Sequence, residues 1–197
     1  MRVKQILILA VVMLSFSTPA VAAKAILAGG CFWCMEADFE KLPGVVDVIS
    51  GFSGGTLPNP TYNGNHKGHY EAVEISYDPQ QLSYQQLLDY YWLQIDPFDA
   101  GGQFCDRGHS YLAAIFVAND EERKIAEKSK EQIQAMFPKQ KVVTPILPAT
   151  TFWPITGEES YHQDYYKNNP LRYKYYRWGC GRDKRLKEIW GDKARHE

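Results

Sequence analysis

The sequence predicts an α+β protein: a two-layer sandwich with a ferredoxin-like core and a long C-terminal coil. Three observations lead there. Apolar residues recur with a period near two in some segments and near 3.6 in others, so strands and helices are interleaved. Their order, strand, helix, strand, strand, helix, strand, is that of the split β-α-β arrangement. No repeat, low-complexity run or linker marks a second unit, so residues 23–197 read as one domain.

Ala25-Ile26-Leu27-Ala28 reads as a short buried strand, stopped by Gly29-Gly30. Phe32, Met35, Phe39 and Leu42 then fall at i, i+3, i+7 and i+10, one face of a helix that Pro43-Gly44 ends. Val45 to Phe52 is β-branched enough for a second strand. Residues 53–68 are rich in Gly, Pro and Asn and form a loop. Val73, Ile75 and Tyr77 alternate with polar neighbours, a half-buried strand closed by Asp78-Pro79. Ser83 is placed to cap a helix whose Leu87, Leu88, Tyr91, Trp92 and Ile95 form one stripe. After a loop over Asp96 to Arg107, Tyr111 to Val117 reads as a strand. Asp120 is placed to cap an amphipathic helix over Glu121–Met136, and Val142 to Leu147 is a last strand. From Tyr161 onward the chain is dense in Tyr, Arg and Lys with little periodicity, which predicts helix and long coil wrapped on the sandwich.

Residues 1–22 read as a secretory leader rather than as part of the fold. Arg2 and Lys4 precede an apolar stretch from Ile6 to Phe16 that is short for a bilayer span, and Ala20-Val21-Ala22 is a small-x-small cleavage pattern. Cleavage after Ala22 predicts an exported protein, periplasmic in a Gram-negative cell, with no stable membrane association afterwards. Lys and Arg number 22 against 23 Asp and Glu, and the leader takes two of the bases with it. No positive field therefore draws the chain to nucleic acid. Nothing demands an oligomer, and a monomer is expected.

Cys31 stands where a glycine-stopped strand turns into a helix. Unpaired backbone N–H groups and the positive end of the helix dipole favour a thiolate there, and the glycines let another molecule approach. Cys31-Phe32-Trp33-Cys34 is also a C-x-x-C, the spacing of dithiol oxidoreductases. Zinc lacks support, because Cys105 and Cys180 are isolated and no second ligand pair completes a site. Phe32 and Trp33, two bulky aromatics beside a nucleophile, suggest an apolar pocket for a small group such as a methyl.

Gly30-Cys31-Phe32-Trp33 resembles the signature of the A-type peptide-methionine sulfoxide reductases. The resemblance continues in order through Leu42-Pro43-Gly44-Val45, Gly51-Phe52-Ser53-Gly54-Gly55 and Pro58-Asn59-Pro60-Thr61-Tyr62, then Gly68-His69-Tyr70-Glu71-Ala72-Val73, Tyr77-Asp78-Pro79 and Tyr161-His162-Gln163-Asp164-Tyr165. It implies thiol-dependent reduction of methionine S-sulfoxide, free or in proteins, with no bound cofactor and a thioredoxin-like dithiol reductant. By the same resemblance Cys31 is the nucleophile and Phe32 and Trp33 cage the substrate methyl. Glu71 gives a proton to the sulfoxide oxygen, Tyr62 and Tyr111 hydrogen-bond that oxygen, and Asp106 lies beside the nucleophile. A leaving oxygen needs a proton, and a carboxylic acid kept neutral in an apolar site supplies one. His69 is expected to shape its loop, and the other histidines, His66 and His109 included, to be solvated.

The chain departs from the family pattern where Cys34 replaces Gly, where Phe104-Cys105-Asp106-Arg107-Gly108 replaces Gly-Asn-Asp-x-Gly, and where Leu112 replaces Arg. Three thiols, Cys34, Cys105 and Cys180, are therefore candidates to resolve the sulfenic acid on Cys31. The Gly-flanked Cys180 is the expected one, on a mobile tail that swings to Cys31. The competing reading is an exported dithiol oxidoreductase that uses Cys31 and Cys34.

Overall fold

The computed structural model describes residues 22–194, so the leader expected over residues 1–22 lies, but for Ala22, outside the described residues. The chain runs β1 (Ala23–Gly29), α1 (Phe32–Phe39), β2 (Val45–Ser53), β3 (Tyr70–Tyr77), α2 (Tyr84–Trp92), β4 (Gly102–Gln103), β5 (Asp106–Arg107), β6 (Ala113–Val117) and α3 (Asp120–Met136). It continues through β7 (Ile146–Pro148), β8 (Trp153–Pro154), α4 (Tyr165–Asn168), α5 (Pro170–Cys180) and α6 (Arg182–Trp190). The main sheet has the order β7-β6-β1-β3-β2-β8, and β4 and β5 form a separate small hairpin.

The inner four strands, β6-β1-β3-β2, are antiparallel to one another, with Leu27 opposite Val73 and Ile115, and Phe52 opposite Glu71. That is the split β-α-β core the sequence predicts. The chain leaves β6 through α3 and returns as β7, parallel to β6, as a crossover helix allows. The alternation of β3 puts Glu71, Val73, Ile75 and Tyr77 on one face. That face meets the apolar stripes of the helices, and Leu27, Phe39, Ile75, Leu87, Leu88, Tyr91 and Ile115 there are almost wholly removed from water. A smaller cluster, Ala28, Tyr70, Ala72, Ala114 and Phe116, lies on the opposite face.

Ser83 caps α2 as expected: its Oγ accepts from Gln86 N, and the Gln86 side chain accepts from Ser83 N at 2.9 Å, a reciprocal capping box. For α3 the cap is Asn119, whose side chain accepts from Glu122 N, and Asp120 is the first helical residue. The last expected strand is shorter than Val142 to Leu147, because only Ile146–Pro148 pairs with β6. The expected long C-terminal coil is largely helical: α5 and α6 meet at Gly181, whose left-handed φ of 70° ends one and starts the other. The inner face of α5 is Tyr and Arg rather than aliphatic, which hides it from hydrophobic periodicity, whereas α6 buries Leu186 and Trp190 beside Arg182.

Candidate active site

Gly30, at φ +83°, turns the chain from β1 into α1, and a Cβ there would lie 2.6 Å from Gln103 Cβ. Cys31 is the N-cap of α1. Its neighbour Phe32 donates its backbone N–H to Glu71 Oε2 at 3.1 Å. The start of α1 and the upper end of β3 thus bring the thiol and the carboxyl together. Glu71 is 2% exposed, and burial lifts its carboxyl to about 8 despite the Phe32 hydrogen bond. At neutral pH it holds a proton.

Cys31 and Cys34 are both buried and both free thiols, one turn apart on α1. Burial pushes the Cys31 thiol well up, with the neighbouring Cys34 and Glu71 adding to the effect. Cys34 moves down to about 7, chiefly because it accepts a hydrogen bond from Cys31, with Arg182 and Arg177 helping.

The aromatic wall is assembled from distant segments. Phe32 stacks obliquely on Tyr62 at 5.9 Å and on His162 at 5.6 Å. Trp33 lies flat on Tyr165 at 3.8 Å and donates its indole N–H to His162 Nδ1 at 3.0 Å. Tyr62 and Tyr111 both feel the Glu71 carboxyl, and burial comes first in raising each phenol, Tyr62 to about 12. The segment 161–165 ties the wall to the sheet. Gln163 Nε2 donates to Ser50 O at 2.7 Å and Ile155 O at 3.0 Å, while Asp164 N donates to Glu36 at 2.9 Å. Glu159 accepts from Tyr62 N and Asn63 N, fixing the loop that carries Tyr62.

The structure gathers Cys34, Glu71, Tyr62 and Tyr111 around Cys31, and Tyr176 joins Asp106 to this group. His69 is the loop-shaper expected: its ring joins Gly55 N and Leu57 O. His162 corrects the expectation that the remaining histidines are solvated, because it is 1% exposed and braces Trp33. Three residues that sequence reasoning did not single out also matter. Tyr176 donates to Asp106 Oδ2 at 2.5 Å. Arg177 pairs with Asp38 at 2.8 Å, and the buried Arg182 donates to Gly29 O and Gln94 O beneath the site. Their spacing on helical faces was the available signal, hidden by their polarity.

The thiols differ most from expectation. Cys180 is bonded to Cys105 across 75 residues of sequence, so it is not a free thiol facing Cys31. Nor is its segment a loose tail: Cys180 ends α5, which Arg177 and Arg182 anchor. The bridge lies beside Asp106, with Cys180 Sγ 3.9 Å from Oδ2. The thiol next to Cys31 is Cys34.

A thiol at a helix start, a neutral carboxylic acid and two phenols, set on this sandwich, are the groups of a thiol-dependent oxidoreductase. Comparison with known proteins is specific. The family model described as peptide methionine sulfoxide reductase matches residues 23–194. A relative from Caulobacter vibrioides, peptide methionine sulfoxide reductase MsrA 2, is 50% identical over 189 residues, covering 92% of this chain and 94% of its own. The crystal structure of reduced Mxr1 from Saccharomyces cerevisiae is similar with a TM-score of 0.68 at 27% identity, over 78% of this chain and 89% of that one. A second Mxr1 structure, in complex with Trx2, has a TM-score of 0.53 at 24% identity, over 75% of this chain and 87% of that one. The chain belongs to the peptide methionine sulfoxide reductase family.

Proposed function

We propose that this chain reduces methionine S-sulfoxide to methionine through Cys31, repairing oxidised methionine in proteins. The observation that carries the reading is the contact at the start of α1: a cap thiol beside a buried, protonated Glu71, walled by Phe32, Trp33 and Tyr62. The Cys31 thiolate attacks the sulfoxide sulfur while Glu71 protonates the oxygen. Tyr62 and Tyr111 donate hydrogen bonds to that oxygen as charge builds on it. Methionine leaves and Cys31 becomes a sulfenic acid. The chain supplies every group this chemistry uses.

The position of Cys34 favours it as first resolver. The Cys34 sulfur attacks the Cys31 sulfenic acid and its thiol proton leaves with the hydroxyl as water, giving a Cys31–Cys34 disulfide in a buried place. Cys105 is exposed and Cys180 half-buried, so their dithiol form suits a second exchange outward. Cys180 then attacks Cys31, and Cys105 completes the bridge the structure holds. The expected Cys31–Cys180 link becomes the mixed disulfide between the two pairs. A thioredoxin-like dithiol protein would reduce the outer bridge; the complex of the yeast relative Mxr1 with Trx2 supports that choice of partner. The leader reading puts the mature enzyme outside the cytoplasm as a monomer, and N-terminal sequencing of secreted protein would find Ala23 first.

Incubation with racemic methionine sulfoxide and a dithiol tests the activity. Consumption should stop at half, with only the S epimer gone. A pure dithiol oxidoreductase would consume neither epimer.

A further inference from the structure

Helix α5 carries Tyr173, Tyr176, Arg177 and Cys180 at i, i+3, i+4 and i+7, so all four share one face. That face is turned to the start of α1: Tyr173 and Tyr176 pack in the cluster that holds Cys31 and Cys34. Tyr176 enters the site itself. Its hydroxyl donates to Asp106 Oδ2 at 2.5 Å and is also a hydrogen-bond partner of the Cys31 sulfur. Its ring meets Trp33 edge-on at 5.7 Å. One hydroxyl hydrogen thus has two acceptors in reach.

We propose that Tyr176 is a catalytic residue that passes the Cys31 proton to Asp106, so the attacking thiolate forms without adding charge to the buried site. The step rests on the reading of Cys31 as nucleophile. The S–H bond of Cys31 breaks and its proton goes to the Tyr176 oxygen, while the Tyr176 O–H proton goes to Asp106 Oδ2. The products are a thiolate that accepts the new Tyr176 hydrogen bond and a neutral Asp106 carboxylic acid. Net charge is unchanged and no electrons move. Once Cys31 is a sulfenic acid, Asp106 returns its proton through water to Glu71, which has given one to the sulfoxide oxygen.

Burial favours an internal acceptor over water, and a carboxylate acceptor leaves Cys34 free for its later role. A thiolate made by losing the proton to water would add a charge to a cap residue that is 6% exposed. Five groups act on Cys31: Cys34 from its own helix, Glu71 from β3, Tyr62 and Tyr111 from the flanking loops, and Tyr176 from α5, which in turn holds Asp106 of β5. Arg182, from α6, acts on Asp106 and Cys34. Glu71 is not the acceptor, because it already holds the proton it must donate and accepts the Phe32 N–H. Asp106 fits the acceptor role, since burial raises its carboxyl while Tyr176 and Arg182 keep it from rising further. Two carboxyls in one site thereby take opposite roles.

Tyr176→Phe keeps the ring against Trp33 and removes only the hydroxyl. The measurement is rapid-quench methionine formation in one turnover, from about pH 6 to about pH 7.5, where a catalyst of matched pKa works best. Asp106→Asn, the double variant and Tyr175→Phe are run beside it; Tyr175 lies on the opposite, exposed face of α5. Native enzyme and Tyr175→Phe should give level profiles. Tyr176→Phe and Asp106→Asn should be about 10²-fold slower at neutral pH, and their rates should climb with pH. The double variant should be no slower than the slower single. A level profile in Tyr176→Phe, or losses that multiply in the double variant, overturns the proposal. Iodoacetamide labelling of Cys31, read by peptide mapping, reports the thiolate without any sulfoxide. It too should be level in native enzyme and climb with pH in Tyr176→Phe, and identical labelling profiles would overturn the proposal. Labelling profiles that differ as expected in an enzyme without sulfoxide turnover would leave the proton path standing and sink the sulfoxide reading instead.

Discussion

At the scale of single residues, the proposed reaction separates the group that attacks from the group that protonates. Cys31→Ser should abolish consumption of methionine S-sulfoxide, since no other thiol stands at the start of α1 facing the aromatic wall. Turnover retained in that variant would remove Cys31 from the reaction. Glu71→Gln keeps the shape and loses the proton, so sulfenic acid formation should slow by about 10²–10⁴. Because burial holds the Glu71 proton up to about 8, the first-turnover rate of native enzyme should fall as pH rises through that value. The same shift acts on stability. The folded form keeps the proton where the unfolded form has lost it, so unfolding free energy declines as pH climbs from the ordinary carboxylate range to about 8. Chemical denaturation across that range should show a shallower decline in Glu71→Gln than in native enzyme, the remainder coming from Glu36, which burial raises to about 7. Cys31, Phe32 and Trp33 were legible in the sequence, because they sit in one short segment whose residue types declare their chemistry, while the part of Glu71 came only from the resemblance to the family. His162 and Tyr176 were not legible, since a lone histidine or tyrosine has no local signature of the neighbour it will meet.

At the scale of elements, turns decide where those residues point. Gly30 allows the strand-to-helix turn and leaves room for Gln103, whose side chain pins the Asp96 backbone through both its amide atoms. Gly30→Ala should push on the hairpin that carries Asp106 and lower both melting temperature and first-turnover rate. Ser83→Ala is the matched control, because it loses only the α2 capping box. It should cost about 1 kcal/mol, a fall of about 2–4 °C by thermal melting, with first-turnover rate unchanged. If the two variants lose rate equally, the turn at Gly30 has no special part in aligning the site. The α1 and α2 stripes were readable because they are aliphatic and aromatic at helical spacing. The α5 stripe of Tyr173, Tyr176, Arg177 and Cys180 has the same spacing, but polar atoms conceal it from any reading based on hydrophobicity.

At the scale of the whole molecule, two thiol pairs lie on either side of Asp106 and Tyr176, one buried and free, the other bridged at the surface. Fully reduced enzyme with excess sulfoxide and no reductant should therefore release about two equivalents of methionine, one per disulfide formed. A Cys105→Ser/Cys180→Ser variant should release one. A single equivalent from native enzyme would mean that the outer pair takes no electrons from the inner one. Strand order could be read from the pattern of elements, yet the Cys105–Cys180 pairing could not, because it depends on the path of α5 over 75 intervening residues. Beneath the nucleophile, Met35 is wholly enclosed, its sulfur beside Arg182 and pressed close under Gly29. An oxygen atom added to that sulfur would find no space. The floor of the repair site is thus made from the very kind of residue it repairs, kept where oxidants do not reach, while Met136 at the end of α3 is half open to them. Damage to this protein's own methionines would then fall first on one that another copy of the enzyme can mend.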